Sequence, residues 1–86
     1  MNDEALLRAL DYLEKMITQQ RKKVLQIARD LKPGLTPEDI LNPQDYPELM
    51  GDPIYNFEDG ILAGLISAQM SIRSEARRWS EEQQGN

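Results

Sequence analysis

The side chains able to do chemistry in this sequence fall into one acidic set and one basic set. Glu38, Asp39, Asp45, Glu48, Asp52, Glu58 and Asp59 all lie between residues 33 and 72, a stretch with no Lys or Arg. Carboxylate oxygens of this kind are what magnesium and calcium use. The stretch lacks the alternating acidic pattern of a calcium loop, however, and the prolines among the acids explain them as helix caps and first-turn charges. No metal site and no cofactor is expected. The basic set comprises Arg21, Lys22, Lys23, Arg29 and Lys32, with Arg73, Arg77 and Arg78 further on. Such clusters could clamp an anion. The chain has no His and no Cys, so the usual activating base, thiolate chemistry, disulfides and the usual zinc ligands are all missing. The glycines form no phosphate-cradling motif. No catalytic residue is assigned, and the chain reads as a non-enzyme.

One enzymatic alternative has residues behind it. The leucine rhythm of residues 6–32, with Arg21 and Lys32 downstream, resembles the first helix of small all-helical chorismate mutases. The resemblance implies a dicarboxylate held by Arg21 and Lys32. The Arg-Glu pair that follows in such enzymes has no counterpart, because this chain reads Pro43-Gln44-Asp45-Tyr46 there. An acidic segment at that place repels a dianion. A small helical enzyme or enzyme subunit with an Arg/Lys anion site is thus the alternative, and it requires Arg21, Arg29, Arg73 and Arg77 to converge.

Charge narrows the partners. Residues 1–32 carry seven basic and five acidic side chains, net +2, whereas residues 33–72 carry the seven acids alone, net −7. The whole chain, at −5, is not a general nucleic-acid binder. The longest apolar run, around Ile61–Ala68, falls well short of the roughly 20 residues that span a bilayer, and the acidic start is unlike a signal peptide. The expectation is a cytoplasmic protein that binds neither nucleic acid nor membrane. Attraction between its basic and acidic parts, within or between chains, follows from the segregation.

The elements that carry these residues are helices. Leu6, Leu10, Leu13, Ile17, Gln20, Val24, Ile27 and Leu31 follow at spacings 4-3-4-3-4-3-4, a heptad seam that predicts a helix over 3–31. Gln20 is its one polar member, a register-fixing residue or simply a tolerated long chain. Lys32-Pro33-Gly34 ends the helix. The segment 33–56 is broken by proline yet rich in Leu, Ile and Tyr. Thr36-Pro37, Asn42-Pro43 and Asp52-Pro53 each pair a capping side chain with a first-turn proline. Asp39 and Asp45, three residues past Thr36 and Asn42, make variants of the capping box. This predicts a packed corner of short helical starts over 37–41, 43–50 and 53–56. A second long helix is predicted over 57–82, capped by Asn56, with Ile61, Leu65, Ile72, Ala76 and Trp79 as its apolar stripe and a frayed tail over 83–86. Gly60, Gly64 and Ala68 recur every four residues, and glycine inside a helix costs about 1 kcal/mol relative to alanine. Close approach of another helix, or of the corner, is the expected reason.

These elements make one all-α domain over 1–86, an antiparallel hairpin of two long helices joined by a proline-rich corner. Two helices alone cannot hide both stripes, so a homodimer forming a four-helix bundle is expected. Its interface is assigned to Leu6, Leu10, Leu13, Ile17, Gln20, Val24, Ile27, Gly60, Gly64 and Ala68. The corner's Asp45, Tyr46, Glu48, Asp52, Tyr55 and Phe57 are the candidates for binding a partner protein, aromatic anchors with a charged rim; the alternative, favoured for the three aromatics, is a plug that closes the end of the bundle with the acids facing outward. The function expected is that of a small non-catalytic interaction or regulatory module.

Overall fold

A computed structural model describes residues 3–84. Its helix α1, Asp3–Leu31, covers the heptad seam. Two 3₁₀ turns follow, Asp39–Leu41 and Pro43–Asp45, then a single turn α2, Pro47–Met50, and the long helix α3, Pro53–Gln84. No strand occurs among the described residues. No helix among them is long and apolar enough to cross a membrane.

The ends of the elements have local causes. After α1 the Lys32 amide still donates to the Ala28 carbonyl at 2.8 Å, but Pro33 has no amide to continue the ladder. Gly34 then turns with φ +93°, a conformation that glycine adopts without strain. Arg29 Nε donates to the Leu35 carbonyl at 2.7 Å and ties the departing chain back to α1. The capping box at Thr36 forms in both directions. The Asp39 amide donates to Thr36 Oγ1 at 3.2 Å, and the Thr36 amide donates to Asp39 Oδ2 at 2.9 Å. Asn42 makes no side-chain cap for the turn that follows it.

Helix α3 begins four residues before the place that Asn56 as a cap implies. Asp52 is the cap: the Tyr55 amide donates to its Oδ1 at 2.8 Å, with Pro53 in the first turn. Asn56 points backward instead, its Nδ2 donating to the carbonyls of Met50 and Asp52 at 2.9 Å each. The Asp52-Pro53 pair therefore starts the long helix and not a separate short one. At the far end Gln83 and Gln84 continue α3, where a frayed tail was expected, and residues 85 and 86 lie outside the described residues.

The two long helices run antiparallel, as two polar bridges show. Gln20 meets Glu58, while Gln69 Nε2 donates to Glu14. Between and beyond these bridges Ile17, Val24, Ala28, Leu35, Leu49, Tyr55 and Leu62 make the buried core. The core sits at the corner end of a rod 54 × 20 × 20 Å, and Leu6, Leu10 and Leu13 at the open end are only half-buried. The inward stripe of α3 is Tyr55, Leu62 and Gln69 at seven-residue spacing, with Leu65 and Ile66 beside it. Of the expected stripe Leu65, Ala76 and Trp79 are half-buried, whereas Ile61, 39% exposed, and Ile72 stand outside it. The earlier start of α3 brings Tyr55 into the helix and gives it the innermost position.

Candidate functional site: a covered side and an open side

The hairpin has two unlike flanks. On the first, Thr18, Arg21, Lys22 and Leu25 of α1 face Asp59, Leu62, Ala63 and Ile66 of α3 across a groove of about 440 Å³. Each set has the spacing i, i+3, i+4, i+7, one shoulder of a helix. The corner supplies the remaining wall with Pro37, Ile40, Leu41 and Pro43. The chain folds over this flank because its capping box and the Arg29–Leu35 bond direct it there. The groove lies within the usual size range of ligand pockets, roughly 300–1,000 Å³. Its lining is mostly apolar, with Arg21 and Lys22 on one wall and Asp59 on the other. Burial pushes the Asp59 carboxyl above its ordinary pKa.

On the opposite flank nothing covers α3. Ile54, Phe57, Ile61, Gly64, Ala68 and Ile72 follow at spacings 3-4-3-4-4, a second stripe beside the inward one. Ile54 is 64% exposed and Phe57 67%, with Met50 of the corner and Met16 of α1 also open to solvent. Gly60 and Gly64 have no atom within 4 Å of where a Cβ would stand. Among the described residues neither a helix nor the corner of the same chain presses on them. The bridge on this flank is polar. Gln20 Nε2 donates to the Glu58 carbonyl at 2.9 Å and to its Oε1 at 2.8 Å, and Lys23 Nζ lies 3.2 Å from its Oε2. The Gln20 bond, then Lys23, hold the Glu58 carboxyl below its ordinary pKa against the effect of burial.

The expected interface residues divide accordingly. Ile17 and Val24 are buried inside the chain, and Gln20 is engaged with Glu58, so the α1 seam packs on its own α3. Ile27 packs against the same core, while Leu6, Leu10 and Leu13 are half-buried farther along the rod. Gly60, Gly64 and Ala68 remain exposed.

The expected partner-binding residues divide too. Tyr55 is wholly buried and Asp52 serves as the cap of α3, so neither presents itself outward. The Tyr55 hydroxyl has no hydrogen-bond partner, and burial raises its pKa. Tyr46 is half-buried under Lys32, whose Nζ lies 5.7 Å from the ring centroid, and Lys32 also meets Glu48 Oε2 at 3.1 Å. Burial foremost, then its hydrogen bond with Asp39, raises the Tyr46 pKa. Asp45, Glu48 and Phe57 are the three of the six that are exposed, Glu48 while paired with Lys32.

The arginines separate along the rod. Arg21 lines the groove and Arg29 is bonded to the corner. Arg73 and Arg77 follow Gln69, which is paired with Glu14, and so lie toward the end of the rod away from Arg29. Among the described residues no group of three or more His, Cys, Asp or Glu is placed to hold a metal ion. The groove itself was missed in the sequence; its signal, the shoulder positions 18-21-22-25 and 59-62-63-66, is legible only once the inward stripes are known. Comparison with protein-family models, curated proteins and solved structures finds no match for this chain.

Proposed function

We propose that this chain is a small non-catalytic interaction module that associates with a second copy of itself through the open flank of α3. The observation that carries this reading is the asymmetry of the exposed stripe. Its first half is large (Ile54, Phe57, Ile61) and small residues follow, Gly64 and Ala68 on the stripe with Ser67 and Ser71 beside it, before Ile72 closes it. Antiparallel pairing of two α3 helices about Gly64 sets the large half of each copy onto the small part of the other. Side chains then enter a shallow groove, as close helix packing requires. The same pairing brings the acidic corner of one copy toward Arg73, Arg77 and Arg78 of its partner copy, so charge and shape favour one register. Two hairpins joined in this way form a four-helix bundle, with Met16 of α1 at the margin of the seam.

An exposed apolar stripe of this extent is what interfaces cover. The test is the molar mass in solution of the native chain and of Phe57→Arg. The reading expects a dimer for the first and a helical monomer for the second. A native monomer, or a dimer indifferent to Phe57→Arg, overturns it.

A further inference from the structure

The groove on the covered flank lies apart from the exposed stripe of α3, and two unpaired cations stand at its edge. From Lys23 to Lys32 each basic side chain is engaged. Lys23 meets Glu58, Lys32 meets Glu48, and Arg29 donates to the Leu35 carbonyl. The two that line the groove, Arg21 and Lys22, make no ion pair and no side-chain hydrogen bond with any described residue. They remain unpaired in a chain where acids outnumber bases fifteen to ten. Beneath them the floor is aliphatic, with Leu25, Leu62 and Ile66.

An apolar trench with two unengaged cations at its edge is complementary to one kind of molecule: an alkyl chain ending in an anion. We propose that the groove binds a free single-chain carboxylate amphiphile, its alkyl chain on the aliphatic floor and its carboxylate at Arg21 and Lys22. The chain's burial supplies the driving force, and the charged head fixes its direction. Asp59, on the facing wall, is the one carboxylate that lines the groove. It opposes the head group, but two cations outnumber it, and it disfavours a second anion such as a dicarboxylate.

The test is calorimetric titration of the native chain with sodium decanoate, with decanol, decyltrimethylammonium and phosphatidylglycerol vesicles as the other arms. The expected result is one decanoate per chain and weaker binding of decanol and of the cationic amphiphile. The double variant Arg21→Gln, Lys22→Gln, altered only at exposed side chains, is expected to bind decanoate about tenfold more weakly, as loss of charge-assisted contacts implies. Ala63→Trp fills the trench and abolishes binding, whereas Asp59→Asn strengthens it. Phe57→Ser, on the other flank, leaves decanoate binding intact whether or not the chain dimerises. Absence of decanoate binding, equal binding of the three decyl compounds, indifference to the double variant, or binding to vesicles alone overturns the proposal.

Discussion

Tyr55 is the residue at which packing and hydrogen bonding conflict. Its ring is wholly buried in the same core as Val24 and Ala28, yet its hydroxyl has no hydrogen-bond partner among the described residues. An unsatisfied buried polar group costs about 1–3 kcal/mol. Tyr55→Phe keeps the ring and removes the orphan, so the variant is expected to gain about 1 kcal/mol in urea unfolding. A loss of that size would mean that the hydroxyl has a role the packing does not reveal. Titration is a second residue-scale property. Asp39, Glu48 and Glu58 all have folded-state pKa values below their ordinary ones, Glu58 through Gln20 first and Lys23 next. The stability they contribute is complete above their unfolded values and is lost as pH falls through the lowered folded values. Asp59, raised by burial, has the opposite sign: its contribution is complete below its unfolded value and is lost as pH rises through the raised one. Urea midpoints at pH 7 and pH 3 should therefore show acid destabilisation, smaller in Glu58→Gln, and a gain at neutral pH in Asp59→Asn. An unchanged acid response in Glu58→Gln would remove the bridge from the account. Of these roles only that of Asp39, in the capping box with Thr36, was legible beforehand. Gln20 was visible as the polar member of the seam, but its partner is 38 residues away, and only the register of the hairpin names Glu58.

At the scale of elements, the corner determines where α3 begins and which of its faces turns inward. The proline-and-cap pattern was readable in sequence because those residues act locally; Thr36 and Asp39 form their box from neighbours alone. Asp52 and Asn56 are both good caps; read from sequence, Asp52-Pro53 has a short helical start of its own and Asn56 starts the long helix. The structure favours Asp52 because Pro53 suits the first turn and because Tyr55 then reaches the core. That four-residue difference puts Tyr55 inside α3, where it serves as a core residue and not as a partner-binding one. Asp52→Ala removes the cap and is expected to cost about 1 kcal/mol. Leu49, wholly buried where α2 meets the core, has more to lose: Leu49→Ala should cost about 2–5 kcal/mol. Denaturant unfolding of both variants ranks them, and a smaller cost at Leu49 than at Asp52 would contradict the packed corner. Gly34, at φ +93°, is the position in the loop where a side chain brings strain.

For the whole molecule, the two flanks of one hairpin have different fates. The corner folds over one and leaves a groove with two free cations; the other keeps an apolar stripe that no part of the same chain reaches. The heptad seam of α1 was legible as a buried surface, but a seam does not state whether its partner lies in the same chain or in another. Here its own α3 packs against Ile17 and Val24, and the apolar residues left exposed lie on the outside of α3. Gly60, Gly64 and Ala68 were singled out by spacing alone, and they lie on that outside surface. The most direct measurement of the central proposal is multi-angle light scattering of the native chain from one to one hundred micromolar, beside Phe57→Arg. The account predicts a mass twice the 9.9 kDa of one chain, falling to that of a single chain in the variant with helix content retained. A native chain that stays at the single-chain mass throughout that range would contradict it.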